Sequence, residues 1–84
     1  MSILHLVNQL KSLPDMAGSL SAGDTLVLCG DAVVQRQPWP AQVALCAMAE
    51  DLESRGITVP EGMRALDYAE LVALCCSHRQ VIAW

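Results

Sequence analysis

The chain opens on a short apolar run, "ILHLV" at residues 3–7, which Asn8 interrupts. A run of that length with a polar stop predicts a buried strand. The next stretch, "KSLPDMAGSLSAGD", predicts a short helix. Ser12 is placed to cap it, Pro14 falls in its first turn, and Asp15 follows the cap by three residues. Leu13, Met16, Ala17 and Leu20 then share one face, and Gly23 ends the helix. Gly18 weakens it by about 0.5–1 kcal/mol relative to Ala.

A second strand is predicted over residues 25–29, "TLVLC". Leu26 and Leu28 point one way, Val27 and Cys29 the other, so both faces are apolar. Such a strand belongs in a parallel sheet covered by helices. "GDAVVQ" suits a helical turn, and "QRQPWPAQ" a loop, because prolines flank Trp39. Residues 41–55, "AQVALCAMAEDLESR", admit two readings. Alanine richness suits one continuous helix. The alternative is a strand through "QVALCA" followed by a helix near 49–55. Glu50 and Asp51 suit a helix start, Arg55 a helix end, and Gly56 the position after it. Those end signals support the second reading.

The clearest helix spans residues 68–77. Asp67 and Glu70 form a capping box, and Leu66 and Leu71 occupy the staple positions. Tyr68, Leu71, Val72 and Cys75 make its expected buried stripe, and His78 sits at its cation-favouring end. "QVIAW" closes as a strand. The order of elements predicts an α/β layer sandwich around a mostly parallel sheet, with residues 1–84 as a single domain.

Composition changes this picture in one respect. Hydrophobic residues make up 54% of the 84 positions, above the roughly 45–50% of an ordinary domain. A domain this small buries only about 60–65% of its unfolded surface. The surplus points to an oligomer or a larger complex. A net charge of −4, no basic cluster and few aromatic residues argue against direct nucleic-acid binding. No apolar run reaches the length of a membrane span, and the start lacks the features of a signal peptide. A cytoplasmic location is therefore expected, with Cys29, Cys46, Cys75 and Cys76 reduced. Their spacing contains no C-x-x-C pair.

Several segments together resemble the TusB/DsrH family, the small subunits of the TusBCD/DsrEFH sulfur-relay complexes. They are "SILHLVN", "AGDTLVLCGDAV", "VALCAMAEDLESRGI", "ALDYAELVALC" and the final "VIAW". The resemblance favours the strand reading of residues 42–47. It implies a small Rossmann-like, DsrEFH-like fold, and a heterohexamer with TusC/DsrF-like and TusD/DsrE-like subunits. In the tRNA-modifying version, such a complex passes persulfide sulfur towards 2-thiolation of the wobble uridine. The sulfur-carrying cysteine there lies on the TusD/DsrE-like subunit. The DsrH-like subunit of sulfur oxidisers has its own cysteine in the first helix region. Residues 8–22 here contain none.

Cys29 is the one candidate catalytic residue, since open α/β sheets place ligands at strand ends. A reactive thiol needs a cation or helix N-terminus beside it, and Asp31 would oppose the thiolate. The expectation is a small buried hydrophobe. Asp31 matches the acidic position of the family, either capping the next turn or touching a partner. Val33, Val34 and Trp39 lack an obvious place in one small core, and Trp84 is a costly group to leave in water. With Asp31 they are the expected partner contacts. His5 reads as a hydrogen-bonded structural histidine. Cys75, Cys76 and His78 lack the geometry of a metal site, because adjacent helical residues diverge by about 100°. No phosphate loop, nucleophile elbow or H-E-x-x-H motif is present. No metal or cofactor is expected.

Three functions follow. The first is a structural, non-catalytic subunit of a sulfur relay. The second is a persulfide carrier using Cys29, as in sulfur oxidation. The third is a free-standing small ligand-binding module. On the first reading, the chain alone is expected to form homo-oligomers in place of its missing neighbours.

Overall fold

A computed structural model describes residues 2–34, Trp39 and residues 42–84. Most of the 35–42 loop expected from the prolines lies outside the described residues. Among the described residues there are five strands: β1 (Ile3–Val7), β2 (Thr25–Leu28), β3 (Ala44–Met48), β4 (Met63–Leu66) and β5 (Gln80–Ala83). Three α-helices connect them: α1 (Leu13–Ala17), α2 (Ala49–Ser54) and α3 (Tyr68–Ser77). A 3₁₀ turn, Leu10–Ser12, leads into α1, and another, Gly30–Val34, follows β2. The strand order is β4-β3-β2-β1-β5, and every pairing is parallel. The expected mostly parallel α/β sandwich is thus wholly parallel. Residues 44–48 form the strand favoured by the end signals of the following helix.

Alternation along the strands divides the core in two. Val7, Leu26, Leu28 and Ala47 face one way, against Leu13 and Met16 of α1, Ala32 and Val33 of the turn, and Leu52 of α2. Leu4, Val27, Cys46 and Leu66 face the other way, against Leu71, Leu74 and Cys75 of α3. β2 is buried along its whole length, as its two apolar faces require.

Three local expectations are corrected. Helical backbone begins at Leu10, so Ser12 adopts a helical conformation and makes no side-chain cap. α1 also ends at Ala17, with Gly18 at its C-cap, rather than running on to Gly23; residues 21–24 instead turn around the Asp24 carboxylate, which accepts from the Ser21 N–H. Second, the buried stripe of α3 is shifted. Leu71, Leu74 and Cys75 face the sheet, while Val72 is exposed and Tyr68 is 75% exposed. Third, Val33 is no surface contact. It is 3% exposed and packs in the core with Leu28 and Leu52. The 3₁₀ turn rolls it inward and leaves its neighbour Val34 42% exposed.

The capping box of α3 is formed in both directions. The Asp67 carboxylate accepts from the Glu70 N–H at 2.7 Å, and Glu70 accepts from the Asp67 N–H at 3.0 Å. Leu66 is fully buried beside Leu71, as the staple expects.

Candidate functional site at the carboxyl end of the sheet

Because every strand is parallel, the residues just after each strand gather at one end. Asn8, Cys29, Asp31, Asp51 and Trp84 meet there. The chain moves outward from β1 through β2, β3 and β4, then returns to place β5 on the other side of β1. The crevice between the ends of β1 and β5 is the position where open α/β sheets hold ligands. It contains a cavity of about 180 Å³ lined by Leu6, Asn8, Cys29, Ala83 and Trp84.

Cys29 is half-buried. Its N–H donates to the Val7 carbonyl at 2.8 Å, extending the sheet one residue past β2. Burial pushes its thiol up to about 11, reinforced by the Asp51 carboxylate and by Cys75. The nearest stabilising dipole is already taken, because the Gly30 N–H at the start of the turn donates to Asp51 Oδ2 at 2.9 Å. The carboxylate opposing the thiolate is therefore Asp51 and not Asp31. At neutral pH only about one part in ten thousand is thiolate, which makes Cys29 a weak nucleophile. Gly30 itself has φ of +53°, a conformation that favours glycine and lets the chain turn directly out of β2.

Asp31 does not cap the turn either; its exposed side chain pairs with Arg55 at 2.8 Å. Arg55 also approaches Asp51 at 3.8 Å. Such exposed pairs contribute little stability. Trp39 packs against the α1/α2 side of the core. Cys46 is buried, and burial raises its thiol too. Cys76 is exposed, and Cys75 is half-buried rather than fully core. His78 turns back onto α3, where Nδ1 meets the Leu74 carbonyl at 2.7 Å and Nε2 lies 3.3 Å from Thr25 Oγ1. Among the described residues, no three His, Cys, Asp or Glu side chains cluster as metal ligands would. No helix of the described residues is long and apolar enough to cross a membrane.

His5 is a buried, hydrogen-bonded histidine, as expected, within a polar chain on the α1/α2 side of the sheet whose other members the sequence did not reveal. His5 and Asp24 are both buried, with His5 Nε2 3.0 Å from Asp24 Oδ2. Asp24 Oδ1 accepts from the Ile3 N–H at 3.0 Å, and Oδ2 also accepts from the Ser21 N–H at 3.0 Å. Trp84 Nε1 donates to His5 Nδ1 at 3.2 Å, the two rings lying 22° from parallel with centroids 6.3 Å apart. An indole N–H only donates, so Nδ1 accepts and Nε2 carries the proton. Burial raises the Asp24 carboxyl, but the bonds from His5, Ile3 and Ser21 outweigh it and hold it below its ordinary value. The Trp84 main chain is fastened as well, its N–H donating to the Leu6 carbonyl at 2.7 Å. Trp84 therefore packs against its own domain. A polar histidine inside an apolar strand was the one available signal; its partners were not readable.

The family model for DsrH-like proteins matches residues 7–81. The chain belongs to the DsrH-like family. That membership places this DsrH-like chain among sulfur-relay subunits. No curated protein matches it. The crystal structure of the YchN protein from E. coli superposes with a TM-score of 0.74 at 18% identity, covering 100% of this chain and 99% of that one. At that identity the likeness speaks for the shared parallel α/β fold alone.

Proposed function

We propose that this DsrH-like chain is a non-catalytic, cytoplasmic subunit of a sulfur-relay complex. It assembles with TusC/DsrF-like and TusD/DsrE-like chains into a heterohexamer. The complex passes persulfide sulfur towards 2-thiolation of the tRNA wobble uridine. The observation that carries this reading is α3. Within "YAELVALCCS" only Glu70 and Ser77 are polar, yet none of its residues is buried. A helix apolar on all sides is normally covered on all sides, so a second surface is missing from the isolated chain.

Asp31, Val34, Trp39 and Trp84 are assigned to further partner contacts near the carboxyl end of the sheet. The runner-up, a persulfide on Cys29, requires a thiolate that burial and Asp51 both oppose.

Co-expression with the two longer partner types tests the reading. The expected product is one species on size-exclusion chromatography with light scattering, holding about two copies of each chain, with interfaces above about 2,000 Å². Val72→Glu on the outer face of α3 should abolish it while leaving the circular dichroism unchanged. A stable monomer that ignores both partners at micromolar concentration would overturn the proposal and promote a free-standing binding module.

A further inference from the structure

The buried chain Asp24–His5–Trp84 joins three distant parts of the sequence. Asp24 precedes β2, His5 lies in β1, and Trp84 follows β5. The chain has a defined direction. The indole donates to Nδ1, and Nε2 donates to the carboxylate. Asp24 is fixed in its orientation, because two backbone N–H groups also point at it, one on each carboxylate oxygen. The only site where a proton can be added to the ring is Nδ1, and that atom is occupied by the bond from Trp84.

We propose that this chain is a proton-sensitive latch that fastens Trp84, at the end of β5, to β1. Protonation of His5 at Nδ1, by a proton from solvent, turns the acceptor into a donor. Two N–H groups then face each other, and the buried imidazolium N–H has no partner unless water enters. The ion pair with Asp24 holds the ring in place, so the movable member is Trp84 at the end of an edge strand. Its release frees the end of β5 from β1.

The surroundings of His5 leave Asp24 as the charged group that faces it. In the sheet, Leu26 of β2 and Ile82 of β5 are its register partners. The neighbouring core residues from α1, the 3₁₀ turn and α2 are apolar: Leu13, Met16, Val33 and Leu52. His78, the second histidine, sits against Thr25 beside α3, on the opposite side of the sheet.

The test uses the full chain uniformly labelled with ¹⁵N, with Trp39→Phe assigning the two indole signals. At neutral pH, long-range ¹⁵N–¹H correlations should show His5 as the Nε2–H tautomer. Acidification that protonates His5, followed by its ring ¹⁵N shifts, should speed exchange of the Trp84 indole N–H at least tenfold. The β2 amides should stay protected. In His5→Gln, whose amide donates to Asp24 and whose carbonyl accepts from Trp84, that acid response should vanish. An Nδ1–H tautomer in the wild-type chain overturns the latch without any variant. So does an indole signal unmoved while His5 titrates, an acid response retained in His5→Gln, or indole release that coincides with loss of the β2 amides.

Discussion

Replacing Asp24 by Ala should be among the most damaging single changes in this protein. The carboxylate is 1% exposed and accepts three hydrogen bonds, from Ile3 N–H, His5 Nε2–H and Ser21 N–H. A hydrogen bond to a charged group contributes about 1.5–3 kcal/mol, and each buried donor left unpaired costs about 1–3 kcal/mol. The Ile3 and Ser21 amides are only part-buried, so water recovers some of that loss. The expected total is about 3–5 kcal/mol, the range for breaking a buried polar partnership. A domain of this length has about 4–13 kcal/mol of stability in all. For its size class, a loss of 3 kcal/mol lowers Tm by at least about 12 °C. Asp24→Asn should rescue only part of this. All three neighbours are donors, so whichever way the amide is turned its NH₂ meets at least one of them. His5 cannot switch tautomer to help, because Nδ1 is engaged by Trp84. The assay is urea unfolding followed by circular dichroism, comparing Ala and Asn variants with the parent chain. A loss under about 1 kcal/mol for Asp24→Ala, the value of an ordinary surface carboxylate, would refute the reasoning. Equal stability of Asp24→Asn and the parent would refute its donor-only part.

The acid limb of stability should also carry the mark of Asp24. Its folded pKa lies below the ordinary 3.8, so its stabilisation is fully present above that value. It is lost as pH falls through the lower folded pKa; urea midpoints of the parent should drop below about pH 4, and those of Asp24→Ala should drop less. Cys29→Ala should cost only about 1 kcal/mol, a small apolar truncation, and leave sulfur transfer by the reconstituted complex nearly intact. Iodoacetamide at pH 8 should modify exposed Cys76 well before Cys29; equal rates, or a persulfide found on Cys29 by mass spectrometry after incubation with a loaded donor, would count against its structural role.

Local signals in the chain were sufficient for most of the elements. The helix over 68–77 was legible because capping is a contact between residues three apart, and Asp67 and Glu70 carry it wherever the helix sits. β2 was legible because an apolar run on both faces has few other uses. The strand-then-helix reading of residues 44–54 rested on end signals for the same reason. Where the readings failed, side-chain hydrogen bonds and the packing of elements decided the outcome. Asp24 organises residues 21–24 and so accompanies the early end of α1. Tyr68 and Val72 face outward because α3 meets the sheet through Leu71 and Leu74. The helical turn expected after Gly30 is present, but only its placement against the sheet makes Val33 core and leaves Val34 exposed.

The candidate site divides in the same way. The position of Cys29 at a strand end follows from its own segment. Its inertness does not, since the opposing carboxylate, Asp51, lies 21 residues from the Gly30 amide it occupies. The chain Asp24–His5–Trp84 spans 79 residues from His5 to Trp84, and only the return of β5 to the side of β1 brings those ends together. Periodicity and capping act over a few residues and are written in the sequence itself. Hydrogen-bond partners, thiol acidity and the uncovered face of α3 depend on which distant strands become neighbours, and parallel pairing makes every such neighbour remote.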